Sequence, residues 1–168
     1  GEADLTVMGR PPRTLATRAE VFAQHPLVFV APAGHPLLAI GRLQVTDLAD
    51  YPFIVREPGS GTRAAMEQYF AEQSFMPRIT MDTSSNETIK QAVMAGMGLS
   101  FLSRHTLDLE LRSGLLGVLD LEATPVMRTW NVVSLQSKLL SPAADRFRQF
   151  ILAHGEAHLL AGEAPTAA

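Results

Sequence analysis

The stretch Thr83–Ser103, TSSNETIKQAVMAGMGLSFLS, constrains the fold more than any other part of the chain. It opens with hydroxyl and amide residues, the types that cap helices. Apolar residues follow at Ile89 and Val93, and less regularly at Ala92 and Met97, close to the spacing of one helical face. Gly96 and Gly98 stop that helix and turn the chain. Leu99, Phe101 and Leu102 then read as a short buried strand. Cap, helix, glycine turn and strand in this order make half of a parallel α/β unit, and the amides exposed at such a helix start can hold an anion.

The neighbouring sequence extends the unit. Tyr51 to Val55 reads as a strand and Pro58-Gly59 as a turn. Ser60, Gly61 and Thr62 lead into a helix whose inner stripe is Ala65, Met66, Tyr69 and Phe70. After Pro77, Ile79, Met81 and Thr83 form another strand. Strand, helix, strand, helix, strand from Phe53 to Leu102 predicts parallel pairing with right-handed crossovers.

On the N-terminal side, a strand over Ala3–Met8 ends at Gly9, Arg10 and two prolines. A dense apolar strand covers Leu27–Val30, expected in one sheet with the first, and Leu43–Leu48 suits a single helical turn capped by Thr46. On the C-terminal side, Arg104–Arg112 reads as a helix with Leu107, Leu109 and Leu111 inward. An extended piece broken at Gly117 follows, then a strand over Arg128–Leu135. The last helix is capped by Ser141 and carries Pro142 at its first position. Residues 161–168 read as a disordered tail.

Composition removes several function classes. Hydrophobic residues make up 46% of the 168, which is a globular composition. A net charge of -3 gives no case for direct nucleic-acid binding by the surface as a whole. The absence of cysteine excludes a disulfide scaffold, a Cys-ligated zinc site and a thiol nucleophile. No apolar run is long enough to span a bilayer, and no signal peptide opens the chain. His25, His35, His105, His154 and His158 match no metal-binding spacing, and no serine has the glycines of a nucleophile elbow. Glu57 and Asp82 could form a carboxylate pair, but nothing in the sequence tunes them. The chain does not read as an enzyme.

Two short stretches suit ligand chemistry. Ser60-Gly61-Thr62-Arg63 combines exposed helix-start amides, two hydroxyls and a guanidinium fork that fits carboxylate or phosphate. It lacks the lysine and the spacing of a nucleotide P-loop. Thr83-Ser84-Ser85-Asn86 repeats the same chemistry at the next helix start. Both also read as ordinary caps. Following adjacent parallel strands, they would face one crevice, which is where ligands of open α/β sheets bind. Arg10, Arg13 and Arg18 form a mild basic cluster that reads as solvated surface, though Arg10 directly follows a strand end.

Taken together, GEADLTVMG from Gly1, HPLVFVAPAGHPLL from His25, REPGSGTR from Arg56, SSNETIKQAVMAGMGLSFLS from Ser84, GLLGVLDL from Gly114, RTWNVV from Arg128 and LSPAADRFRQFI from Leu140 resemble the effector-binding region of LysR-type transcriptional regulators. REPGSGTR, AGMGLSFLSRHT and LSPAA are most similar to regulators of carbon-fixation (Calvin cycle, RuBisCO) operons. The resemblance implies an α/β fold like the type 2 periplasmic binding proteins, with two lobes, parallel-dominated sheets and a small effector in the interlobe cleft. It assigns residues 1–30 to the first lobe, 31–129 to the second, and 130–160 to a crossover strand and a helix returning to the first. It also implies that the first lobe is incomplete and that an N-terminal helix-turn-helix module is absent.

By the same resemblance the effector-facing positions are Gly9, Arg10, Ser60, Gly61, Thr62, Arg63, Ser84, Ser85 and Asn86, with Gly98, Leu99, Ser100 and Phe101 as the adjoining wall. The implied effector is a small anionic metabolite: a phosphorylated sugar or organic acid, or NADPH. No resident cofactor or metal is implied. The implied partners are further copies of the chain, as dimer or tetramer, and operator DNA through the missing module only. The implied location is the cytoplasm, with no membrane contact. The alternative is a solute-binding protein or a dehydratase-like enzyme on the same fold.

Overall fold

The computed structural model describes residues 3–12 and 14–161. Arg13 and positions 162–168 of the tail expected over 161–168 lie outside the described residues. In chain order the elements are β1 (Thr6–Met8), β2 (Thr17–Pro32), β3 (Pro52–Arg56), α1 (Gly61–Glu72), β4 (Arg78–Thr83), α2 (Asn86–Met94), β5 (Ser100–Ser103), α3 (Asp108–Arg112), β6 (Leu116–Val118), β7 (Val126–Leu135) and α4 (Pro142–Ala161). The chain divides into two compact units, Gly1–His25 with Arg128–Ala168, and Pro26–Met127.

The unit Pro26–Met127 contains the expected strand–helix alternation. β3 and β4 are parallel, in the register Arg56↔Thr83. β5 joins β3 through a parallel bridge between Phe53 and Leu99, with Leu99 N donating to Pro52 O at 2.8 Å. The second half of β2 pairs antiparallel with β5, from Leu27↔Ser103 to Val30↔Ser100, and with β6. Leu27–Val30 is therefore a strand of this unit and not a partner of β1. The sheets are mixed: β3, β4 and β5 are joined by parallel pairing, a further parallel bridge links Leu43 to Leu121, and β1 with β7 and β2 with β5 and β6 pair antiparallel.

Strand alternation builds two cores, one on each face of the sheet. Leu27, Phe29, Ala31, Phe53, Val55 and Phe101 face α1, which contributes Ala65, Met66, Tyr69 and Phe70. Val28, Val30, Ile54 and Leu102 face α2, which contributes Ile89, Ala92 and Val93. Phe29 is wholly buried, and its ring lies 4.6 Å from Phe101 and 5.2 Å from Tyr69, centroid to centroid. Burial of each such aromatic stabilises the fold by about 1.5–3 kcal/mol.

Three local expectations are corrected. The turn at Val45–Leu48 is capped by Gln44 rather than Thr46, because Asp47 reaches back to the Gln44 amide at 2.8 Å. Leu109 is 69% exposed while Glu110 is buried, because leucines two apart cannot share one helical face. Gly117 is a full member of β6, opposite Ala31, and a Cβ there would lie 2.6 Å from the Leu38 methyls. Glycine at this position lets Leu38 close over the strand.

In the other unit, β1 pairs antiparallel with β7 from Thr6↔Val133 to Met8↔Asn131, and β7 lies between β1 and β2. The α4 start is as expected: Ser141 Oγ accepts from the Ala144 amide at 3.2 Å, with Pro142 in the first position. Arg148 of α4 holds both Glu20 oxygens at 2.8 and 2.9 Å.

Candidate functional site

The carboxyl ends of β3 and β4 deliver the chain into two helix starts. After β3, the Pro58-Gly59 turn swings into α1, where Ser60 Oγ accepts from the Arg63 amide at 3.5 Å. After β4, Ser85 caps α2 by accepting from the Thr88 amide at 3.1 Å, and Thr83 Oγ1 accepts from the Ser85 amide at 3.3 Å. Among the described residues, these caps leave the amides of Gly61 and Thr62, and of Asn86 and Glu87, without an acceptor. Each helix start also carries about half a unit of positive charge.

Arg56, the last residue of β3, ties the two helix starts together. Its Nη1 donates to Asn86 Oδ1 at 2.9 Å. Its Nε and Nη2 take both oxygens of Glu57 at 2.8 and 3.0 Å. The Arg56 carbonyl accepts from Arg63 Nη1 at 3.1 Å, so the start of α1 is fastened to the same residue. The hydrogen bonds from Arg56 hold the Glu57 carboxyl below its usual range. Arg56 is a candidate functional position that local sequence pattern alone does not single out. The available signal was a charged residue at the carboxyl end of a buried strand, immediately before a Pro-Gly turn.

The structure brings Ser60–Arg63 and Ser84–Asn86 to one face, with Gly61 and Ser84 exposed and Thr62, Ser85 and Asn86 half-buried. The cap of α2 is Ser85, flanked by exposed Ser84 and by Asn86, which is turned onto Arg56. Arg63 does not present its full fork to solvent. Its side chain is 14% exposed and donates to Glu67 at 2.6 Å as well as to the Arg56 carbonyl. Leu99, Ser100 and Phe101 are buried, each 1% exposed or less. Gly98 is pressed against β3, where a Cβ would meet Pro52 O at 2.5 Å.

Gly9 and Arg10 belong to the other unit. Asn131 Nδ2 holds the Met8 and Gly9 carbonyls at 3.4 and 3.5 Å, and Arg10 is exposed. Beneath Gly9, the His25 ring stacks on Trp130 with centroids 4.0 Å apart. A surface cavity of about 520 Å³ in this unit is lined by Arg18, Lys138, Asp145 and Arg148 among others. Its cations pair with Glu20, Asp4 and Asp145, so it offers no net attraction for an anion. Among the described residues no group of three or more His, Cys, Asp or Glu could hold a metal, and no helix is long and apolar enough to cross a membrane.

A family model described as the LysR substrate binding domain matches residues 1–156. The HTH-type transcriptional regulator CfxR of Cupriavidus necator is 50% identical over 151 residues, which is 90% of this chain and 48% of the relative. The HTH-type transcriptional regulator CbbR of Rhizobium meliloti is 44% identical over 159 residues, 94% of this chain and 51% of the relative. The chain thus spans about half the length of the curated relatives it matches. The regulatory domain of Synechocystis PCC6803 CcmR, solved in complex with 2-PG, is 38% identical with a TM-score of 0.85, covering 90% of this chain and 73% of that one.

Proposed function

This chain belongs to the LysR substrate-binding domain family, as a regulatory domain and not an enzyme, and we propose that it senses a small anionic metabolite at the strand-end face of Arg56, Ser60–Arg63 and Ser84–Asn86. The observation that carries the reading is Arg56, whose side chain reaches Asn86 while its carbonyl holds Arg63. Two helix starts with free amides and one shared guanidinium give an anion more than either helix alone would against water. The CcmR regulatory domain binds 2-PG, a small anionic ligand. A phosphorylated organic acid of that kind is the effector class we assign here.

In the whole regulator the effector acts by its differential affinity for two conformations, and self-association carries the shift to operator DNA through a separate helix-turn-helix module. That role places the protein in the cytoplasm. Calorimetric titration of the chain with 2-PG, and with NADPH in parallel, tests the reading. Thr62→Ala and Ser84→Ala weaken 2-PG binding while the fold stays intact. Unchanged affinity in both variants reduces these residues to local structure.

A further inference from the structure

Arg56 already has an anion on its fork. A guanidinium has five N–H donors in a fixed plane, and its two-donor edges are what a carboxylate or phosphate binds. Glu57 fills one such edge with both oxygens, at 2.8 and 3.0 Å, and Asn86 takes a donor at 2.9 Å. The Arg56 side chain is 20% exposed and that of Glu57 34%, so the ion pair lies at the surface where a solute can reach it. An anion arriving at the free amides of Gly61, Thr62, Asn86 and Glu87 meets this carboxylate on the cation that joins the two helix starts.

We propose that Glu57 is a built-in competitor: its carboxylate occupies the edge of Arg56 that the effector's anionic group takes, and binding exchanges one for the other. The inference rests on the reading of this face as the anion site and adds how the site selects. Glu57 is a monocarboxylate tethered next to its cation, so its effective concentration there far exceeds that of a free monocarboxylate. A solute carrying one carboxylate therefore gains little by displacing it. A phosphate dianion brings more charge and a third acceptor oxygen, and wins the exchange. Like charges this close repel, so the effector and Glu57 do not share the fork. The hydrogen bonds from Arg56 keep the Glu57 carboxyl titrating below its usual range, in agreement with a carboxylate that is ionised, and competing, at neutral pH.

The test is titration of the chain with 2-PG and with acetate, for wild type, Glu57→Gln, Arg56→Gln and the double variant, with circular dichroism melts to verify the fold. The proposal expects Glu57→Gln to tighten 2-PG binding about tenfold and to make acetate binding measurable. It expects that gain to vanish in the Arg56→Gln background. Glu57→Asp, whose shorter arm cannot hold the same edge, moves affinity in the same direction and serves if the glutamine variant does not fold. Unchanged or weaker 2-PG binding by Glu57→Gln, while wild type binds, overturns the proposal and leaves the anion site standing. A gain that persists without Arg56 overturns it too, since it is then general charge relief. No binding by any of the chains overturns the anion site and the competitor together.

Discussion

Arg56 Nη1 donates to Asn86 Oδ1 across 2.9 Å, and that bond joins the end of β3 to the first residue of α2. It is possible because β3 and β4 run parallel in the register Arg56↔Thr83, which brings the two strand ends level. The helix starts that follow are then neighbours, and their caps and donors become one surface.

The caps can be separated from the ligand face by stability. Ser85 is the α2 cap, with Oγ 3.1 Å from the Thr88 amide, and Ser84 is exposed beside it. Ser85→Ala therefore loses about 1 kcal/mol of stability, and Ser84→Ala stays within about 0.5 kcal/mol of wild type. Urea unfolding measures both. Equal losses would mean that the cap is shared or misassigned.

Lys90 of α2 reaches Glu110 of α3 at 2.7 Å, with side chains only 13% and 6% exposed. Lys90→Met leaves the buried Glu110 carboxylate without its cation and costs about 3–5 kcal/mol. Lys90→Met with Glu110→Leu restores most of that loss, because neither charge then has to be buried. Chemical denaturation of both variants checks the pair. A single-variant cost under about 1 kcal/mol would show that the pair contributes no more than a surface salt bridge.

Gly98 has no room for a side chain, since its Cβ would meet the Pro52 carbonyl oxygen at 2.5 Å. That carbonyl also accepts from the Leu99 amide at 2.8 Å, so it cannot move without breaking the β3–β5 bridge. Gly98→Ala destabilises by about 1–3 kcal/mol, as overpacking does. Gly41 has nothing within 4 Å of its Cβ position and serves as the control. A thermal melt in which both variants match wild type would contradict the close approach.

Tyr69 supplies a pH dependence. Burial first, and the Glu122 charge second, push its phenol from 10.0 up to about 12. The hydroxyl donates to the Glu122 carbonyl at 2.7 Å, which requires the protonated form. The folded state thus keeps this proton longer than the unfolded chain does. The stabilisation is complete below about pH 10, and it is lost as pH rises through about 12. Tyrosinate absorbance shows the late ionisation, and Tyr69→Phe removes this part of the alkaline decline. Ionisation of Tyr69 near 10 would refute the assignment.

The β3–α1–β4–α2–β5 alternation was legible because each element carries its own period: adjacent buried residues Phe53, Ile54 and Val55 in a strand, and Ala65, Met66, Tyr69 and Phe70 on one helical stripe. What was not legible depends on partners distant in sequence. The antiparallel partners of Leu27–Val30 are β5 and β6, seventy or more residues on, and no local pattern announces them. Glu110 is buried because Lys90 meets it from another helix. Ser84, Ser85 and Asn86 are all cap-capable, so composition could place the α2 start but not choose its cap. The role of Arg56 required both the β3–β4 register and the direction of its side chain. The apolar pattern of Leu99, Phe101 and Leu102 already described the buried strand that the fold contains.

The most direct test of the account is an amide-resolved NMR titration of the chain with 2-PG. The account predicts that the largest shifts fall on the amides of Gly61, Thr62, Asn86 and Glu87 and on the Arg56 side chain, saturating together with one affinity. Saturating shifts confined to residues away from both helix starts, or no shifts at millimolar 2-PG, would contradict it.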